Sequence, residues 1–435
     1  MTSTALYTDH YELTMVQAAM EAGTAGRRTI FELFPRRLPD GRRYGVVAGV
    51  GRALEALREF RFGPEEIEVL RSRGVVSEPT LEWLAGYRFS GDIWGYPEGE
   101  IYFPGAPLVI VEASFAEAVV LETLLLSIYN YDSAVASAAS RMIQVAGDRP
   151  VIEMGARRMN EEASVAAARA AYIAGFASTS NLEAGRRFGI PTGGTAAHAF
   201  TMLFDTEREA FAAQVASQGT GTTLLVDTYD VRQAVATAVE LAGPALGAVR
   251  LDSGDLAIAA REVRDQLDAL GNTDTRIIVT SDLDEWQIAA LAAAPVDGYG
   301  VGTNLVTGSG APTCGFVYKM VARATSADPD AELLPVSKKS ANKATIGGRK
   351  YALRRLNSHG IAEADVIGVG AQPAGDTNDR PLLTPLVRSG EIVGQEDLEA
   401  ARARHRDGLA QLPRAARKMS HGEPVIPTLY ESDYQ

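Results

Sequence analysis

One cysteine in 435 residues, Cys314, leaves no internal disulfide framework and fits a reducing cytoplasm. Long apolar runs are missing as well. The longest, such as AVVLETLLL, are too short and too interrupted to cross a bilayer. The opening stretch, MTSTALYTDHYELTM, lacks the basic start and extended apolar core of a signal peptide. Basic residues are outnumbered, 42 against 55 acidic, and the formal charge of −13 argues against a nucleic-acid surface, although a local basic pocket is compatible with it. No low-complexity linker and no internal repeat interrupts the chain, so its parts are expected to pack tightly. These absences point to a soluble cytoplasmic protein with neither membrane nor nucleic acid as partner.

What is present is ordinary globular composition, with 46% hydrophobic and 22% charged residues. A chain of this length exceeds one core, so two or three domains are expected. Residues 4 to 22 carry apolar positions at helical spacing. TIFELFPRRLPDGRRYGVVAGV reads as two extended runs, GRALEALREF as an amphipathic helix, and FSGDIWGYPEGEIYFPGAPLVIVEA as a small antiparallel sheet. Residues 1–115 are therefore expected to form an α+β domain. A long helical stretch, residues 117 to 146, leads into a second domain spanning 116–325. There VIEMGA, ASTSN, PTGGTAAH, TTLLVDTYD, GAVRLDSGD, RIIVTSDLD and GYGVGTNLV are candidate strands with helices between them. That rhythm suits a closed or nearly closed α/β barrel of seven strands, with eight as the alternative. Residues 326–435 change pattern. PVSKKSANKATIGGRKYALRRL reads as a basic hairpin around Gly347-Gly348, and QEDLEAARARHRDGLAQLPRAARKM as a charged surface helix, together a C-terminal extension packed against the rest.

In such folds the strand carboxyl ends carry the site, and here they gather chemistry. Arg157 and Arg158 close the first strand. An arginine pair is often only a solvated face, but one at a strand end can grip a carboxylate or phosphate bidentately. Ser180 and Asn181 end the second strand. His198 follows Gly193-Gly194-Thr195 in a run of small residues; a lone histidine is commonly a hydrogen-bonded core residue, yet these neighbours leave the ring uncrowded. VRLDSGDL ends the next run with Arg250, Asp252, Ser253 and Asp255. The motif serves equally as a turn and helix cap, for which Asp255 or Ser253 is suited. Arg250 and Asp252 alternate in register, so they point the same way: arginine for phosphate, aspartate for ribose hydroxyls or Mg²⁺. Asp227 in VDTYD and Asp282 in TSDLDE add acids at neighbouring strand ends. Gly302 and Thr303 lie in GYGVGTNLVTGSG, whose glycines let backbone N–H groups approach an anion, although glycine turns without ligands are common.

Together these stretches resemble nicotinate phosphoribosyltransferase. The likeness runs through YTDHYELTM, FELFPRRLP, EMGARR, STSNLEAGRRFGIPTGGTAAHAF, VRLDSGDL, GYGVGTNLVT and VYKMV. It implies an irregular seven-stranded α/β barrel. It also implies that nicotinate and phosphoribosyl diphosphate become nicotinate mononucleotide and diphosphate, in NAD salvage. By motif position, His198 looks like the family's phosphorylated histidine, which implies ATP as co-substrate, with Mg²⁺ as cofactor. Arg157 and Arg250 look like anion-site arginines. Asp252 and Asp227 fall where related enzymes contact ribose or pyrophosphate, and Gly302 with Thr303 falls on the phosphate loop. Thr195, Ser180, Arg158, Ser253 and Asp282 complete the expected binding set. Tyr11 looks like the aromatic that stacks on the pyridine ring from a neighbouring subunit, implying a homodimer with shared sites. His10 and Glu12 depart from the Leu and Gln more usual around that tyrosine. Quinolinate or nicotinamide phosphoribosyltransferase, or a non-catalytic phosphosugar-binding protein, are the alternatives.

Overall fold

The computed structural model describes residues 3–338 and 345–432. The chain divides into two compact units, one of Ala138–Gly310 and one of Met1–Ser137 with Ala311–Gln435. The boundary falls inside the helix Glu122–Ala146.

The unit Ala138–Gly310 is built on six parallel strands: β1 (Val151–Glu153), β2 (Ser178–Thr179), β3 (Thr223–Leu225), β4 (Ala248–Leu251), β5 (Arg276–Thr280) and β6 (Gly298–Val301). Their spatial order is β2-β1-β6-β5-β4-β3. Val249, Leu251, Ile277, Val279, Tyr299 and Val301 are fully buried, as expected of parallel strands covered on both faces. Because all six run the same way, every carboxyl end opens on one edge. The expected strand PTGGTAAH contributes only an isolated parallel bridge, Thr192 to Thr179. Its glycines and alanines offer no branched side chains to pack on a pleated surface. Among the described residues no ladder joins that bridge to β3, so the sheet is open where a closed or nearly closed barrel was expected.

The intervening helices start where the sequence supplies caps. Asn160, Asn181, Thr206, Asp230, Asp255 and Asp284 each accept a backbone N–H from the first turn of the helix that follows. Each cap is worth about 1 kcal/mol. The expected cap Asp255 accepts from the Ile258 N–H at 3.1 Å.

The other unit joins the two ends of the chain. Its seven-stranded sheet runs Leu333–Pro335, Phe316–Ala324, Arg28–Pro35, Val109–Ser114, Asp92–Gly95, Thr384–Arg388, Glu391–Ile392. Arg28–Pro35 pairs antiparallel with Phe316–Ala324, Thr29 opposite Arg323 and Pro35 opposite Phe316. The segments read from sequence as 1–115 and 326–435 thus share one unit. Of the basic hairpin expected around Gly347-Gly348, residues 339–344 lie outside the described residues. Lys350–Leu356 takes Ala362–Val369 as its antiparallel partner instead, turning at Asn357–Gly360.

Ion pairs are buried in this unit. Lys350 Nζ bonds Glu32, both nearly inaccessible, and Arg354 bonds Asp365 and Glu100 with all three inaccessible. The first helix is His10–Glu21, capped by Asp9 and preceded by the turn Ala5–Tyr7. Glu12 is buried: one oxygen accepts from the Thr123 N–H at 3.0 Å and hydroxyl at 2.5 Å, and Thr8 bonds the other. Glutamate at position 12 therefore has its own partners. No described helix is long and apolar enough to cross a membrane.

Candidate active site

At the carboxyl edge of the parallel sheet a cavity of about 260 Å³ is lined by Met154, Arg157, Arg158, Arg250, Asp252, Thr280, Ser281, Asp282, Gly300, Gly302 and Thr303. Three arginines and two aspartates from three strand ends thus converge, and a fourth strand end adds Gly302 and Thr303. Arg250 lies on β4, opposite Ile278 of β5 and Leu225 of β3. Its Nη1 donates to the Thr195 hydroxyl. Its Nε is buried and has no hydrogen-bond partner among the described residues. Burial lowers the pKa of the guanidinium and the Arg157 charge adds to that, while Asp252 and Asp227 oppose it.

Asp252 follows β4 on the same face as Arg250. It accepts from the Thr280 hydroxyl, and its own N–H donates to Asp227 Oδ2 at 2.8 Å. The Ser253 hydroxyl donates to the same oxygen at 2.7 Å. Asp227 therefore holds the turn after β4 from the end of β3, while its Oδ1 is buried and unpartnered among the described residues. His198 opens the short helix His198–Thr201. Its Nδ1 lies 3.1 Å from Thr228 Oγ1, and its Nε2 lies 3.8 Å from Asp252 Oδ2. Both side chains are a little over one-third exposed. The imidazole thus has one nitrogen at a hydroxyl and the other beside a carboxylate.

Arg157 and Arg158 occupy a 3₁₀ turn after β1 and are both exposed. Beneath them Glu153 is buried, bonded by the Gly155 N–H and the Thr179 hydroxyl. Burial raises its pKa, and those two bonds oppose the rise. Thr179 Oγ1 also accepts the Asn181 N–H at 2.9 Å, so one carboxylate ties the ends of β1 and β2. A Cβ on Gly155 would meet Val306 Cγ1 at 2.3 Å and Gly302 O at 3.1 Å, so only glycine lets the arginine turn approach the Gly302 loop.

Not every expected residue lines this cavity. Thr195 stands behind Arg250, Asp227 and Ser253 brace Asp252, and Ser180 is exposed with its N–H on the Glu153 carbonyl at 2.8 Å. Tyr11 belongs to the other unit, 45% exposed. Its phenol is pushed up to about 12 by partial burial, then by the charges of Glu122, Glu12 and Asp9. Sequence reasoning missed Thr228, Thr280, Thr179 and Glu153. Each stands beside or within a motif already singled out, and a hydroxyl or acid at a strand end is the signal that was there. Among the described residues no group of three or more His, Cys, Asp or Glu gathers as a metal cluster.

A cationic cleft with paired acids and a glycine turn, at the carboxyl edge of a parallel α/β sheet, belongs to the class of sites suited to phosphorylated sugars. Comparison with known proteins narrows this. Residues 6–130 match the family described as nicotinate phosphoribosyltransferase (NAPRTase) N-terminal domain. Nicotinate phosphoribosyltransferase pncB1 of Mycobacterium tuberculosis is 56% identical over 432 residues, covering 97% of this chain and 94% of the relative. The Bacillus subtilis nicotinate phosphoribosyltransferase is 38% identical over 396 residues, covering 88% and 80%. The crystal structure of human nicotinic acid phosphoribosyltransferase superposes with a TM-score of 0.83 at 26% identity, covering 98% of this chain and 97% of that one. The chain belongs to the nicotinate phosphoribosyltransferase family.

Proposed function

We propose that this chain transfers the phosphoribosyl group of phosphoribosyl diphosphate to nicotinate, giving nicotinate mononucleotide and diphosphate in NAD salvage. The observation that carries the reading is the meeting of Arg157, Arg158 and Arg250 with Asp252 in one cavity, in a chain of this family. The pyridine nitrogen attacks C1 of the ribose with its lone pair. The bond from C1 to the diphosphate oxygen breaks, and its electrons leave with diphosphate. No proton need move, so positioning and charge stabilisation supply the catalysis.

In this reading Arg250 faces phosphate, and Arg157 or Arg158 meets the nicotinate carboxylate. Asp252, braced by Thr280 and Asp227, holds ribose hydroxyls. Gly302 and Thr303 offer backbone N–H groups to phosphate. Mg²⁺ fits the donor chemistry: Asp227 Oδ1 is a buried oxygen beside the Asp252 turn, unpartnered among the described residues, and Mg²⁺ is commonly held by one or two carboxylates plus substrate phosphates. Held there by Asp227 and the substrate, it would supply charge neutralisation for the diphosphate leaving group.

His198 is proposed to take a phosphoryl group from ATP. A ring nitrogen attacks the terminal phosphorus, ADP leaves, and water later removes the phosphoryl group. The uncrowded small-residue run and the flanking Thr228 and Asp252 support this role. The finer architecture belongs to the same proposal: an irregular barrel-like arrangement that stays open, supported by six parallel strands and the Thr192 bridge as a seventh position. A homodimer with shared sites is supported by the exposed ring of Tyr11. The cytoplasm is the proposed compartment, supported by the single cysteine.

The test is diphosphate release with nicotinate, nicotinamide and quinolinate in turn. Nicotinate alone should support turnover, because arginine rewards a single ring carboxylate and an amide leaves it unpaired. Turnover with quinolinate and release of carbon dioxide, or none with any pyridine, would refute the assignment.

A further inference from the structure

Two loops of the cavity wall are laced together by side chains that never reach the cavity. One follows β5 and carries Asp282; the other follows β6 and carries Gly302 and Thr303. Asn304 Nδ2 donates to the Asp282 carbonyl at 3.0 Å and to the Leu283 carbonyl at 3.3 Å, gripping the backbone at Asp282 and just after it. Farther along, the Ser309 hydroxyl donates to Glu285 Oε2 at 2.6 Å. The other oxygen, Glu285 Oε1, accepts from Arg141 Nε at 2.9 Å, and both side chains are almost wholly buried. The Ser309 N–H closes back on the Asn304 carbonyl at 2.6 Å.

Ser309 has φ of +51°, a left-handed conformation that costs a non-glycine residue energy unless its surroundings enforce it. Its hydroxyl and its N–H are the two contacts that enforce it. A buried, paired carboxylate and a strained serine thus support the two loops of the cleft. A turn needed only for chain reversal would take glycine at this position, as Gly308 and Gly310 on either side do with φ of +63° and +83°.

We propose that Asn304, Ser309 and Glu285 are positioning residues that fix the spacing of the two loops, and thereby set affinity for the phosphorylated substrate rather than for the pyridine. This rests on the assignment of the Gly302–Thr303 loop to phosphate. Ser309→Gly keeps the backbone conformation while removing the hydroxyl, so it leaves the fold intact; Asn304→Ala removes the carbonyl clamp.

The experiment measures KM for phosphoribosyl diphosphate, KM for nicotinate, kcat and Tm on both variants of the full chain. A third variant, Thr303→Glu, puts a negative charge on the loop itself. Losing a hydrogen bond of this kind should raise KM for phosphoribosyl diphosphate about three- to tenfold in each positioning variant. The nicotinate KM should stay within about twofold, and Ser309→Gly should lower Tm only slightly, because relief of the backbone strain offsets the hydrogen bond lost at buried Glu285. An unchanged KM for phosphoribosyl diphosphate, or equal rises in both KM values, overturns the positioning role when Thr303→Glu still raises that KM sharply. If Thr303→Glu leaves it unchanged too, the phosphate-loop assignment fails, and the positioning role with it.

Discussion

Replacing Arg250 with methionine tests the electrostatics of the cleft most severely. The side chain is half-buried, bonded through Nη1 to Thr195, and flanked by Asp252 and Asp227. Methionine keeps much of the aliphatic volume but removes the cation that offsets those two acids. In the proposed function the substrate's phosphate then loses a charge-assisted contact and faces Asp252 and Asp227 without that cation. Loss of such a contact in a partly desolvated site costs about 2–4 kcal/mol of transition-state stabilisation, or roughly 30- to 1000-fold in kcat/KM. Arg250→Lys restores charge without the planar fork and should recover only part of that loss. The assay is initial-rate diphosphate release with phosphoribosyl diphosphate varied at saturating nicotinate, alongside Tm to establish that each variant is folded. A folded methionine variant within threefold of wild type would show that Arg250 does not face the reacting sugar, and the reasoning from strand register to phosphate contact would be wrong.

Asp252→Asn should depress diphosphate release strongly while leaving the preference for nicotinate over nicotinamide unchanged; near-normal turnover at saturating phosphoribosyl diphosphate would remove Asp252 from the mechanism. Tyr11→Ala and His198→Ala, each lacking ATP-stimulated turnover alone, should regain it when mixed under subunit exchange, and no recovery despite demonstrated exchange would count against shared sites. Arg354→Met should lower stability by about 3–5 kcal/mol, because Asp365 and Glu100 are left buried without that cation, and chemical denaturation measures it. Burial raises the Glu153 pKa, so folding favours its proton. That contribution is complete below the ordinary glutamate range and is lost as pH rises through the raised value. Glu153→Gln should therefore flatten the fall of stability with rising pH, and an unchanged slope in denaturation midpoints would show that Glu153 does not titrate this way.

Much of the site could be read before the fold because its residues are local. Arg250 and Asp252 sit two apart on one strand end, and two-residue periodicity alone puts them on one face. The glycine turn at Gly302 and the cap at Asp255 are likewise short-range features. The supporting bonds are not local. Thr280 reaches Asp252 across 28 positions, Thr228 reaches His198 across 30, and Glu153 meets Thr179 across 26. Only the parallel register brings these pairs together. The discontinuous unit was hidden for the same reason, since an apolar strand at Arg28–Pro35 says nothing about whether its partner lies nearby or at Phe316–Ala324. PTGGTAAH misled through its place in the strand rhythm; its glycines and alanines give a single bridge and an open run ending at His198.

In the proposed function one cleft transfers the sugar, and His198 couples that transfer to ATP. The most direct measurement follows ADP and nicotinate mononucleotide together from γ-labelled ATP, nicotinate and phosphoribosyl diphosphate, with the protein sampled for acid-labile, base-stable label. Wild type should form mononucleotide with accompanying ADP and carry label that maps to His198. His198→Ala should carry none and lose the stimulation by ATP, while slow ATP-independent transfer persists. Label remaining on the alanine variant, or mononucleotide formation that responds to ATP without His198, would contradict the account.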